Sequence, residues 1–76
     1  MILKILTSSG SEHEVDTEPT DTILDVKEKL ERLEGISVQQ QRLVYQGKKL
    51  DDDRTLDSYR STGGATMQLI VALRGG

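Results

Sequence analysis

"TILDVKEKLERLEG", residues 22–35, is the stretch on which the fold turns. Its apolar residues Ile23, Val26, Leu30 and Leu33 recur at intervals of three and four. That spacing lays them along one stripe of an α-helix and along no single face of a strand. Thr22 with Asp25 three positions later makes a capping box, in which each side chain takes the other's backbone N–H. Gly35 suits the left-handed residue that ends a helix. The pattern predicts a helix over residues 23–34. Lys27 falls at the edge of the apolar stripe, and a carboxylate such as Asp52 is its expected partner.

On either side the period drops from 3.6 to two. In "MILKILT" (1–7), Met1, Leu3 and Ile5 share one face while Ile2, Lys4 and Leu6 share the other. "TSSG" (7–10) is turn chemistry. Residues 11–17 alternate again, with His13, Val15 and Thr17 on one side and Glu12, Glu14 and Asp16 on the other. The two runs predict a hairpin, and Pro19 ends regular pairing. After the helix, residues 40–45 read as a strand with Leu43 inward. "QG" (46–47) reads as a turn and "KKL" (48–50) as a short returning strand. "DDDRTLDSY" (51–59) is a polar loop with one apolar anchor, Leu56. A further turn at 61–64 leads to a last strand whose Met67, Leu69 and Val71 share a face. The order strand, strand, helix, strand, short strand, strand is α+β: one helix against one face of a mixed five-stranded sheet.

Composition narrows the function. A chain of 76 residues forms one small domain, and at this size it buries only about 60% of its unfolded surface. With no cysteine there is no disulfide, no thiolate metal site and no cysteine nucleophile. Aromatic residues make up 3%, so the core must be aliphatic. A net charge of −3 argues against general binding to nucleic acid or membrane. "MILKIL" is too short and too strand-like for a signal peptide, and no run reaches membrane-spanning length. His13 is the only histidine, too few for a metal site or a catalytic dyad; its expected place is beside the helix C-terminus near Glu34. Three adjacent carboxylates at 51–53 do not converge on one point, so they read as solvated loop and no metal is expected. "GKK" (47–49) lacks phosphate-loop spacing.

Four stretches together carry a resemblance: "EPTD" (18–21), "EGI" (34–36), "QQQRLVYQGKKLDDDRTLDSY" (39–59) and "LRGG" (73–76). Over essentially its whole length the chain resembles the ubiquitin-like protein modifiers, and within them the neddylation branch. Ala72 stands where ubiquitin has arginine. "QQQ" (39–41) and "GG" (63–64) also look like the neddylation branch. The resemblance implies a β-grasp fold over residues 1–72, with the first and last strands as parallel neighbours mid-sheet. Residues 73–76 then form a flexible conjugation tail.

The resemblance also implies chemistry. An activating enzyme would adenylate the Gly76 carboxylate with ATP and Mg²⁺ and hold it as a thioester. A conjugating enzyme and a ligase would deliver it to a lysine as an isopeptide, and a deconjugating protease would reverse the step. The chain itself would be no enzyme and would hold no cofactor. Gly75 and Gly76, without Cβ, let the tail thread narrow active sites. Ala72, with Leu73 and Arg74, would set which activating enzyme accepts the chain, because a neutral residue at 72 avoids a repulsion built against positive charge. Cullin scaffolds are the family's expected targets, and a cytoplasmic and nuclear monomer is the expected state.

The family's apolar binding face maps to Ser8, Val44, Gln68 and Ile70. Ser8 and Gln68 reduce its apolar area, at about 25 cal/mol per Å² lost. Leu6, beside Gln68 in the implied sheet, could offset this and give a patch of Leu6, Val44 and Ile70. Lys48 is a possible acceptor for chain formation. Ser61 stands where the family buries isoleucine. Three other readings remain at this stage: a divergent ubiquitin, a non-covalent ubiquitin-like interaction domain, and a sulfur carrier whose C-terminal glycine becomes a thiocarboxylate.

Overall fold

In the computed structural model, which describes residues 1–60 and 64–72, the helix α1 spans Ile23–Glu34 and starts as its sequence predicts. Thr22 Oγ1 accepts the Asp25 N–H at 3.2 Å, and Asp25 Oδ2 accepts the Thr22 N–H at 2.9 Å. The next free donors of the first turn are met from the distant loop. Ile23 N–H donates to Arg54 O at 2.9 Å and Leu24 N–H to Asp52 O at 3.0 Å. Helix starts leave such groups without partners, so the loop satisfies the helix and the helix fixes the loop. Leu56, fully buried, and the bond from Asp57 N–H to Pro19 O complete that anchorage. At the other end Gly35 sits at φ 73°, where a residue with Cβ is strained, and its N–H donates to Glu31 O at 2.8 Å.

Five strands form one sheet: β1 (Ile2–Thr7), β2 (Glu12–Asp16), β3 (Gln41–Tyr45), β4 (Lys48–Lys49) and β5 (Thr66–Val71). Their order across the sheet is β2-β1-β5-β3-β4. The central pair β1 and β5 is parallel, Ile5 opposite Met67, and every other pairing is antiparallel. This is the β-grasp arrangement. A single-turn 3₁₀ segment at Val38–Gln40 takes the first position of the expected third strand, and another lies at Asp57–Tyr59.

The core lies between the inner sheet face and α1. Leu3, Ile5, Val15, Leu43, Met67 and Leu69 come from the sheet, Ile23, Val26 and Leu30 from the helix. Leu33 departs from the expected stripe: it is 58% exposed, while Lys27 is only 5% exposed. At 100° per residue Leu33 lies about 80° around the axis from Ile23, and Lys27 about 40° on the other flank. The helix rolls toward Lys27 because Asp52 receives its ammonium there, at 2.5 Å from Nζ to Oδ1. Gln41 is fully buried beneath the helix. Its Nε2 donates to Lys27 O at 2.9 Å and to Ile36 O at 3.0 Å. His13 meets Glu34 at the helix C-terminus, with Nε2 against Oε1. Ser61, expected to replace a buried residue, lies outside the described residues.

Candidate functional site

Odd-numbered residues of β1 and β5 and of β3 face the helix, so their even-numbered neighbours face outward. The pairing then sets which of them meet. Leu6 is opposite Gln68 across the parallel pair, and Gln68 is opposite Val44 across the antiparallel one. The three make one row over three strands. Ile70, two positions beyond Gln68 on the same face, is 50% exposed and lies opposite Arg42. Leu6 and Val44 are half-buried. A shallow groove runs beside the row, lined by Leu6, Thr7, Ser8, Gln68 and Ile70. The structure therefore brings Leu6, Val44, Gln68 and Ile70 together, with Ser8 at the groove's end.

The rim of this face is cationic on its β3–β4 side, a feature the sequence reading passed over, and acidic on its β2 side, where Glu12 lies opposite Leu6 and Glu14 opposite Lys4. Lys49 is opposite Val44, and Arg42 is opposite Ile70. Lys4 lies opposite Thr66, two residues before Leu6 and Gln68. The signal was present in the alternation itself. Arg42 precedes Val44 by two and Lys4 precedes Leu6 by two, so each shares its neighbour's face. Arg42 Nη1 donates to Gln39 O at 2.9 Å, which holds the guanidinium near the strand.

Ala72 is one residue beyond β5 and half-buried. Its N–H donates to Gln40 O at 2.7 Å, the last backbone bond between the C-terminal strand and its neighbour among the described residues. Leu73, Arg74, Gly75 and Gly76 lie outside the described residues. Lys48 is exposed at the start of β4. It follows a tight turn in which Gln46 and Gly47 have φ of 51° and 77°, the left-handed pair of a type I′ hairpin turn. No group of three metal-ligating side chains occurs among the described residues.

The sequence profile of the "Ubiquitin family" matches residues 3–74, nearly the whole chain.

The chain belongs to the ubiquitin family.

Curated relatives place this ubiquitin-like chain more finely. It is 45% identical to ubiquitin-like protein 1 of Schizosaccharomyces pombe, over 100% of this chain and 97% of that protein. It is also 45% identical to the ubiquitin-like protein NEDD8 of Dictyostelium discoideum, over 100% of this chain and 99% of that one. With the NEDD8-like protein RUB1 of Saccharomyces cerevisiae it shares 41%, over 100% and 99% respectively. The chain is a ubiquitin-like, NEDD8-related protein, similar to these relatives over nearly their full length.

Proposed function

We propose that this chain is a neddylation-type protein modifier whose reactive group is the Gly76 carboxylate. The observation that carries the reading is end-to-end similarity to NEDD8-named relatives in a chain that reads Leu-Arg-Gly-Gly at 73–76. In this reading a carboxylate oxygen of Gly76 attacks the α-phosphorus of ATP, with Mg²⁺ held by the activating enzyme, and pyrophosphate leaves. The enzyme's cysteine thiolate then attacks the acyl carbon and AMP leaves. Transfer to a conjugating enzyme's cysteine exchanges one thioester for another. A substrate lysine amine finally displaces that thiolate and loses a proton, leaving an isopeptide bond. The catalytic thiols belong to the partners, which suits a chain without cysteine.

The same reading gives the other residues their roles. Ala72 is tied to the sheet through its bond to Gln40 O, so a side chain there meets a partner at a fixed place relative to the domain. A neutral methyl escapes a positively charged or arginine-rejecting surface of the activating enzyme. Leu73 and Arg74 extend that contact. Leu6, Val44, Gln68 and Ile70 form the face that conjugating enzymes, ligases and deconjugating proteases grip. Lys48, exposed on its turn, is the candidate acceptor for a second modifier. Cullin scaffolds are the proposed substrates, in cytoplasm and nucleus.

The test is a charging assay with ATP and purified activating enzymes of the neddylation and ubiquitin pathways. A thiol-reversible adduct with the neddylation enzyme, weakened in Ala72→Arg, is the expected result. Charging by the ubiquitin enzyme alone would make the chain a divergent ubiquitin. Charging by neither would refute conjugation and leave a non-covalent ubiquitin-like domain.

A further inference from the structure

The chain is acidic overall, at net −3, yet one concavity has only cationic charge in its lining. It lies between the β3–β4 turn and the 3₁₀ segment at Asp57–Tyr59, and Lys48, Arg54 and Arg60 line it without a carboxylate. None of these three is ion-paired among the described residues, whereas Lys27 and Lys29 each face an aspartate. All three are exposed, so water and salt screen their mutual repulsion and their charge is open to an anionic ligand.

Two further observations fall on the same place. The guanidinium of Arg54 lies over the ring of Tyr59, 4.5 Å from its centroid. Tyr59 is itself fixed, since its hydroxyl oxygen accepts the Asp51 N–H at 2.8 Å. Stacking uses the faces of the guanidinium and leaves its in-plane N–H donors for a ligand. The backbone is also unusual. Gln46 and Arg60, at φ 51° and 57°, are the two non-glycine residues with positive φ among the described residues, and both line this concavity. Glycine or asparagine would hold that conformation with less strain. At Gln46 the hairpin turn demands that conformation; at Arg60, which closes the 3₁₀ segment, a cation is kept where the backbone favours glycine or asparagine.

We propose that this concavity binds a phosphate monoester carried by a partner protein, a phosphoserine or phosphothreonine. Such a group has a charge of about −1.5 to −2 near neutral pH and three acceptor oxygens. Three cations around one group match that charge better than they match a single carboxylate. Arg54 and Arg60 supply forked donors and Lys48 a compact charge. The site lies apart from the Leu6–Val44–Ile70 face, and its occupancy is independent of conjugation through Gly76.

The test is an amide NMR titration of the intact chain at fixed ionic strength. The probes are a short glycine- and serine-rich peptide carrying one phosphoserine, the same peptide with serine or glutamate there, and inorganic phosphate. The phosphopeptide should shift Gln46, Lys48, Tyr59 and Arg60 saturably, and the serine peptide should not. Affinity should fall about tenfold in Arg54→Gln and in Arg60→Asn. Asparagine tolerates the left-handed backbone, so Arg60→Asn removes the charge while keeping the fold. Absence of saturable shifts, or unchanged affinity in both variants, would overturn the site. Equal binding of the glutamate peptide would overturn the phosphate in favour of acidic sequence. Inorganic phosphate binding as tightly as the phosphopeptide would overturn a partner-borne ligand.

Discussion

Lys27 and Asp52 pair across the helix–loop junction at 2.5 Å, with the lysine side chain 7% exposed and the aspartate 50% exposed. The ammonium is desolvated and its counter-ion is not, so the two ends of the bond are unequal. Asp52→Asn leaves a buried charge without its partner, and we expect a loss of about 1–3 kcal/mol. Lys27→Met removes the charge, keeps an unbranched stem and should cost less than Asp52→Asn. Urea unfolding of the two variants checks the order.

Gln41 is the second polar group beneath the helix. Its Nε2 ties Lys27 O to Ile36 O, while Oε1 has no partner among the described residues. Gln41→Leu removes the unpaired oxygen but leaves two carbonyls without the donor they share. The expected net effect is a destabilisation of about 1–3 kcal/mol, because unmet buried acceptors outweigh the relief. A shift of the denaturant midpoint with an unchanged slope is the reading to look for.

Asp21 gives the acid limb of stability a defined contributor. The Glu18 N–H donates to its carboxylate at 2.9 Å, the larger cause, and Lys29 Nζ lies at 3.3 Å. Together they hold the carboxyl below its usual range despite some opposing desolvation. With the folded pKa below the unfolded one, the unfolded chain binds more protons between the two values. Asp21 therefore stabilises fully above about pH 4, and that share is lost as the pH falls through the folded value. Asp21→Asn should flatten the stability curve below about pH 4 and leave its slope at neutral pH unchanged.

Ile70 is exposed on the outer sheet face. Its truncation should therefore spare the fold while weakening any partner that covers it. For Ile70→Ala we expect stability within about 0.5 kcal/mol of wild type. Binding to a partner that uses this face should drop about tenfold, as befits roughly 1.4 kcal/mol of lost apolar contact. Leu6→Ser should act in the same direction. Isothermal titration beside thermal melts separates the two effects.

What could be read from the sequence was what depends on neighbours along the chain. The capping box at Thr22 and Asp25, the left-handed Gly35 and the alternation in β1 and β5 each need only a few consecutive residues, and each stands as read. The exchange of Leu33 for Lys27 on the buried side did not follow from helical spacing. The Lys27–Asp52 pair itself was expected from the sequence and is found, but how far it draws the lysine inward depends on where the loop places Asp52, 25 residues further along. The partner of Gln68 on either side was equally invisible to spacing, since register across β1, β5 and β3 is a tertiary fact. Family resemblance supplied the parallel central pair, and Leu6 beside Gln68 followed from it. The proposed anion site needed the fold outright, because Lys48 and Arg60 come from different turns.

The parallel pair of β1 and β5 joins the first and last strands at the middle of the sheet. Leu3 and Ile5 have their helix-facing layer incomplete until Met67 and Leu69 arrive beside them. While a ribosome is still synthesising the chain, the hairpin and helix can form but the sheet cannot close. Folding must wait until residue 71 has cleared the exit tunnel, because the sheet's centre is filled by the strand made last of the five. Until then the nascent chain carries an open central edge of β1, and chaperones that hold extended apolar segments have their longest opportunity there.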